Sequence, residues 1–220
     1  MSSPVTPRPY TPVERQKAVD EGRERILAAG RELLTSDSSE TFSIDAVARH
    51  AGVSRMTVYN QFESKPKLLE ALFDSLAIRG PLKEMANVFA EPDPIVAFDK
   101  FIELFGNFWT YGRLAHGRLK AAAIIDPDLA EVIRGRNERR RGALAQLVKR
   151  LADHTSPVVP QDELLNSLFV LLSFDTFDAI AGPTRTPNDV VPIVRQMAYA
   201  VLGGEAPKPR PRRRAKRKKT

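Results

Sequence analysis

An all-α protein is predicted, on three observations. Apolar residues recur at helical spacing along most of the 220-residue chain: Val19, Ile26, Leu33 and Leu34, with Gly30, fall on or near one face, and Phe98, Phe101, Phe105 and Trp109 recur every three or four positions. Proline and Gly-Pro pairs punctuate these stripes at Gly80-Pro81, Pro94, Asp126-Pro127 and Gly182-Pro183, where helices start, stop or kink. No alternating apolar–polar run of useful length argues for a strand, and no internal repeat is present.

The elements follow in order. Residues 1–13 hold Pro4, Pro7, Pro9 and Pro12 without a periodic apolar pattern and read as a flexible arm. "VERQKAVDEGRERILAAGRELLTSD" reads as a helix ended by the loop "SDSSETF". Ser43 can cap a short helix from Ile44 to His50, whose buried face is Ile44, Val47 and Ala48. Gly52 suits the positive φ that ends it. Ser54 can cap a third helix, from Arg55 to about Gln61, and Ser64 a fourth, from Lys65 toward Arg79. Further helices are expected from Pro94, over "GRLAHGRLKAAAII", over about 128–152, as one continuous apolar helix over 161–182, and over 186–204, making nine or so in total.

Composition narrows the chemistry. The chain has no cysteine, which excludes disulfides, thiolate zinc sites and cysteine nucleophiles. No apolar run approaches the ~18 residues of a membrane span, and the N-terminus has no apolar signal segment. A cytoplasmic protein without membrane contact is expected. The formal charge is +7, yet "KPRPRRRAKRKKT" (208–220) carries nine Lys or Arg and no acid, so the rest of the chain is mildly acidic. This Pro-rich basic tail, 205–220, is expected to be disordered. It can bind DNA phosphates with strong salt dependence, or serve only solubility.

Residues 41–65, "TFSIDAVARHAGVSRMTVYNQFESK", carry the clearest chemistry. A seven-residue helix, a turn with Gly52 and a second short helix make a helix-turn-helix. Ala48 is small enough for close crossing, and Val53 and Val58 face inward. The outward side then presents Ser54, Arg55, Thr57, Tyr59, Asn60 and Gln61, and Met56 is counted with them among the DNA-binding residues. Arg can pair bidentately with guanine, Asn or Gln with adenine, and a Thr methyl can touch thymine. Ser43 and Lys65, at helix N-termini, can bind phosphates together with backbone amides. Phe62 reads as core, Asp45 as a first-turn residue favoured by the helix dipole, and His50 as a cap or surface residue.

"TFSIDAVARHAGVSRMTVYNQFESKPKLLEALF" resembles the DNA-binding domain of the tetracycline-repressor (TetR) family of bacterial regulators. The matching features are Gly52-Val53-Ser54, Thr57-Val58-Tyr59, Phe62 and Lys65, within residues 14–76. The chain departs from the pattern at Asn60-Gln61, where many members carry a His, and at Met56. The resemblance implies a helix-turn-helix domain over 14–64 and a larger helical ligand-binding and dimerisation domain over 65–204. It implies a homodimeric, ligand-responsive regulator, expected to be a repressor, on a palindromic duplex operator. No cofactor and no enzymatic activity are expected, since no triad, metal-spacing cluster or phosphate loop is present. A sequence-tolerant architectural DNA-binding protein driven by the tail is the rival reading.

The second half supports two readings. Phe98, Phe101, Phe105 and Trp109 can be packed core; the resemblance implies that they, with Phe174 and Phe177, line a pocket for a small apolar or aromatic effector. Asp175 and Asp178 can meet a cationic ligand or Arg195, or lie at the solvent edge of a dimer face. His116 with Glu103 or Asp126 makes no convincing metal site. The 161–181 segment is apolar nearly all round and so buried on several sides, either within one subunit or, as the resemblance implies, with the 187–202 helix in a four-helix interface across a two-fold axis. The run "RGRNERRRG" (134–142) reads as a solvated helix face.

Overall fold

A computed structural model describes residues 12–35, 40, 42–152, 154–155 and 159–204. The basic tail lies outside them, as does the expected arm up to residue 11; Pro12 and Val13 already belong to a helix. The described residues form eleven α-helices and no strand: α1 (Pro12–Thr35), α2 (Ile44–Ala51), α3 (Arg55–Phe62), α4 (Lys65–Arg79), α5 (Met85–Phe89), α6 (Pro94–Tyr111), α7 (Arg113–Ala122), α8 (Pro127–Ala152), α9 (Gln161–Leu171), α10 (Phe174–Ala181) and α11 (Val191–Val201). Single 3₁₀ turns occupy Pro81–Glu84 and Pro187–Val190.

The expected single helix over 161–182 is two helices, bent by 49° between α9 and α10. Ser173 takes an extended conformation (φ −76°, ψ 158°), and its Oγ accepts the Thr176 N–H at 3.3 Å. The Thr176 hydroxyl donates to the Val170 carbonyl at 2.7 Å. A new cap thus replaces the continuing ladder, with no glycine or proline involved. Before α11, Thr186 and Asp189 close a capping box and set a 3₁₀ turn where helix was expected. No single helix among the described residues is long and apolar enough to cross a membrane.

The described residues divide into two compact units: those up to Ala86 with Asn107–Arg140, and Asn87–Gly106 with those from Arg141 onward. The boundary expected at 64/65 falls inside the first unit. The reason is packing: Leu68, Leu69 and Leu72 of α4, Ala115 and Leu119 of α7, and Leu129 and Val132 of α8 share one core with Ile26, Leu33, Val47, Val58 and Phe62. The Arg-rich run of α8 is not wholly solvated either. Arg136 donates to Asp74 at 2.6 Å and to the Glu70 carbonyl at 2.7 Å, with its guanidinium 5.3 Å from the centre of the Phe73 ring.

In the second unit, Phe98, Phe101 and Ile102 of α6, Leu164 and Leu168 of α9, Phe177 of α10 and Val194 of α11 are completely buried. Arg195 bonds Asp99 at 3.1 Å and Glu103 at 2.7 Å, so its carboxylates come from α6 rather than from Asp175 or Asp178. Gly106 permits the close approach of α6 and α11: a Cβ there would lie 2.3 Å from Cγ2 of Val191. Val is stiff at χ1 and yields little. Gly106→Ala is therefore expected to lower stability by about 1–3 kcal/mol through overpacking. In a Val191→Ala background, itself destabilised by the loss of buried methyl groups, Gly106→Ala should instead add up to about 1 kcal/mol through helix propensity. Thermal unfolding of both single variants and the double variant checks the sign reversal.

Candidate nucleic-acid interface

Local chemistry fixes how α3 is held. Ser43 caps α2, its Oγ accepting the Ala46 N–H at 3.1 Å. At the other end Gly52 is left-handed (φ 65°, ψ 34°). Its N–H reaches the Arg49 carbonyl at 3.2 Å, and the Val53 N–H reaches the Ala48 carbonyl at 3.0 Å. That pair of bonds is a Schellman motif, which needs a residue without a Cβ penalty at Gly52. Ser54 then caps α3, its Oγ accepting the Thr57 N–H at 3.0 Å and lying 2.8 Å from the Thr57 hydroxyl. The direction of α3 is thus set within three residues of the end of α2.

The exit from α3 is tighter. The Ser64 N–H bonds the Phe62 carbonyl at 2.6 Å across Glu63, whose φ is 62° and ψ −40°. This is a γ-turn of the rare, strained hand. Ser64 then caps α4 through the Lys67 N–H at 3.3 Å. Glu63→Gly is expected to relieve about 1 kcal/mol of backbone strain, offset in part by the entropy of glycine in the unfolded chain. A small rise in the denaturant midpoint would register it; a fall would show that Glu63 contributes more through Lys67, its partner four residues on.

The two faces of α3 differ sharply. Val58 and Phe62 are 1% and 3% exposed and belong to the core. The Arg23 guanidinium sits 4.2 Å from the Phe62 ring centre and donates to the Gln61 carbonyl at 2.9 Å. On the opposite face Ser54, Arg55, Met56 and Asn60 are exposed, with Met56 at 66%; Thr57 and Tyr59 are half-buried along the flanks. Gln61, expected on this outer face, is turned instead toward α1, its amide 3.5 Å from the Val19 carbonyl. One turn past Thr57, it has rotated off the outer face.

Arg55 is oriented from two sides. One nitrogen lies 3.3 Å from Asp45 and another 3.4 Å from the Tyr59 hydroxyl, with the guanidinium 5.5 Å from the Tyr59 ring centre. Asp45 therefore has a second use beyond the helix dipole. Its spacing of ten residues from Arg55 carries no local signal, so the sequence alone did not reveal it. Glu40 bonds Arg49 and lies 3.0 Å from His50 Nε2; the bond to His50, with the charge of Arg49, holds its carboxyl below the usual range. Lys65, at the start of α4, is paired with Asp126. The arrangement presents a short helix with a guanidinium, an amide, hydroxyls and an exposed methionine on one side, fastened by apolar residues on the other. It suits reading base edges from a groove of duplex DNA.

The aromatic residues expected to line an effector pocket divide between the units. Phe98, Phe101, Phe105, Phe174 and Phe177 belong to the second; Phe174 is half-buried and the other four are buried. Phe101 and Phe105 stack at 4.7 Å and Phe98 meets Tyr199 edge-on at 5.9 Å. Trp109 belongs to the first unit, where it meets Phe108 at 4.9 Å and His116 edge-on at 4.8 Å. Burial pushes the His116 pKa down, and its Nδ1 lies 2.8 Å from the Gly112 carbonyl. In the first unit a cleft of about 360 Å³ between α1 and α4 is lined by Arg23, Glu24, Asp74 and Arg79 around Leu27, Ala71 and Ile78, and by none of the six aromatics.

Residues 26–72, which contain this helix-turn-helix, match the sequence model of the bacterial regulatory proteins of the tetR family. The chain is 29% identical over 206 residues to the HTH-type transcriptional regulator EthR of Mycolicibacterium smegmatis, covering 90% of this chain and 94% of that protein. Its fold is similar to that of a transcriptional regulator from Rhodococcus sp. Rha1 (TM-score 0.62, 20% identity, 85% of this chain and 99% of the other). It is equally similar to NalD, the secondary repressor of the MexAB-OprM multidrug efflux pump in Pseudomonas aeruginosa (TM-score 0.62, 17% identity, 84% and 97%).

Proposed function

We propose, from the premise that this chain belongs to the TetR family of bacterial transcriptional regulators, that it acts as a homodimeric repressor whose two α3 helices read a palindromic operator. The observation that carries the reading is the polarity of α3: Val58 and Phe62 at 1% and 3% exposure behind it, Met56 at 66% in front. Ser43, Ser54, Arg55, Met56, Thr57, Tyr59, Asn60 and Lys65 form the DNA-facing set. Arg55 and Asn60 address base edges, and Ser43 and Lys65 the backbone. Gln61 acts by seating α3 on α1.

Dimerisation is assigned to the second unit. Val170 of α9 is 61% exposed, and Ile193 and Met197, four residues apart on α11, are 39% and 40% exposed; Leu165 and Phe169 of α9 are half-buried. Apolar groups left exposed on α9 and α11, two helices that pack against each other, suit a self-complementary two-fold contact. The effector is a small apolar or aromatic compound that inserts among Phe98, Phe101, Phe105, Phe174 and Phe177. Because Phe98, Phe101 and Phe177 are completely buried, its entry has to separate packed helices. It therefore acts by favouring a conformation with poor operator affinity.

Selection of bound sequences from random duplex DNA by the full-length protein tests the reading. A symmetric consensus with half-site centres about 10 bp apart, or a multiple of that, is expected. Enrichment of a single unpaired half-site, or of nothing, would contradict it.

A further inference from the structure

The first residue of α4 already holds an anion. Lys65 Nζ bonds Asp126 Oδ2, with the two side chains 28% and 21% exposed. A cation in the first turn of a helix faces the positive end of the macrodipole and is disfavoured unless an anion accompanies it. Pro66 has no N–H, and the Lys67 N–H is taken by Ser64 Oγ at 3.3 Å. The ammonium and backbone N–H of Lys65 are thus what this helix end offers. Lys67 is itself paired with Glu63, so the ion pairs at the start of α4 carry no net charge.

Asp126 does two things at once. Its Oδ1 accepts the Leu129 N–H at 3.2 Å, capping α8, while Oδ2 meets Lys65. Burial alone would push its carboxyl up, but the bond to Lys65 and the backbone N–H groups bring it below the ordinary range. Lys65 thus favours the charged form of the carboxylate beside it.

We propose that Asp126 is an internal substitute for a DNA phosphate at Lys65, and that it sets DNA affinity by competing with the backbone for that ammonium. The proposal rests on the reading that Lys65 faces DNA. Binding exchanges one anion for another at the same helix end. The carboxylate is then left on its α8 cap, and the free-energy gain from Lys65 is reduced by the pair that had to open. Affinity is held below the maximum this surface can reach, which suits a regulator that must also let go.

The test compares full-length wild type, Asp126→Asn, Lys65→Ala and the double variant on two duplexes, the selected consensus and an unrelated sequence of equal length, across a KCl series. Asn keeps the α8 cap, and Asp126→Ser provides a second capping replacement should Asn perturb the melt. Asp126→Asn is expected to tighten binding roughly fivefold on both duplexes and to steepen the salt slope by up to about 0.9. Lys65→Ala should weaken binding, and the double variant should be no tighter than Lys65→Ala alone. Unchanged or weaker binding by both Asp126 replacements would overturn the proposal, because Asp126 would then be positioning Lys65 rather than competing for it. An equal gain in the Lys65→Ala background would also overturn it, by showing a general charge effect. Failure of the regulator reading is separate: it would show as no symmetric consensus from the wild-type protein, whatever the four proteins do on the unrelated duplex.

Discussion

A chain with Val170→Glu and Met197→Glu is expected to fold, to run as a monomer, and to bind the full palindrome at least about 100-fold more weakly than wild type while keeping its half-site affinity. The two side chains are 61% and 40% exposed, so exchanging them for glutamate removes little internal packing. In a two-fold contact each new carboxylate would face the same surface of the other copy, where charges must lose water without gaining partners. The effect on DNA follows from geometry. One α3, eight residues long, spans a few base pairs, and the second half-site is reached at high effective concentration only while the dimer persists. Light scattering with titration of full-site and half-site duplexes checks both halves of the expectation. A dimer that survives both substitutions would move the interface elsewhere.

Phe62→Ala is expected to remove operator binding by unfolding the reading head rather than by losing a DNA contact. Phe62 is 3% exposed, in the same core as Val47, Val58, Leu68 and Leu69. It also carries the Arg23 guanidinium 4.2 Å from its ring centre. Truncating a buried Phe costs about 3–5 kcal/mol, a large share of the about 5–15 kcal/mol that holds a domain folded. Nothing smaller can hold α3 between the caps at Ser54 and Ser64. The contrasting case is Asn60→Ala, on the exposed side of the same helix, which should leave the melting temperature nearly unchanged and shift base preference instead. Thermal unfolding alongside binding-site selection separates the two. Equal melting temperatures for both variants would show that Phe62 is not the fastening it is taken to be.

The reading head was legible because its signals are local. Ser43, Gly52, Ser54 and Ser64 sit at spacings that only caps and a left-handed turn explain, and each occurs where expected. The face of α3 followed from Val58 and Phe62 one turn apart. What escaped was set by partners far along the chain. Gln61 leaves the outer face because α1 offers the Val19 carbonyl 42 positions away. Lys65 is neutralised by Asp126, 61 positions on, although Asp126-Pro127 was readable as a helix start. The break between α9 and α10 was missed for a different reason. The segment is apolar nearly all round, so periodicity carried no phase information across Leu172, and the one marker was Ser173 with Thr176 three residues later. The aromatic stripe of α6 showed burial but could not show that Trp109 packs with Phe108 and His116.

Because the chain has no cysteine, one introduced thiol is unique, and this allows the central claim to be tested on the bound state. Met56→Cys, at the most exposed apolar side chain of α3, and Ile78→Cys, 71% exposed at the far end of α4, can each carry a DNA-cleaving iron chelate. With the outer face of α3 in the groove, the Met56→Cys conjugate should cut within both half-sites and the Ile78→Cys conjugate should leave the duplex intact. Cutting from position 78 with none from position 56 would contradict the account.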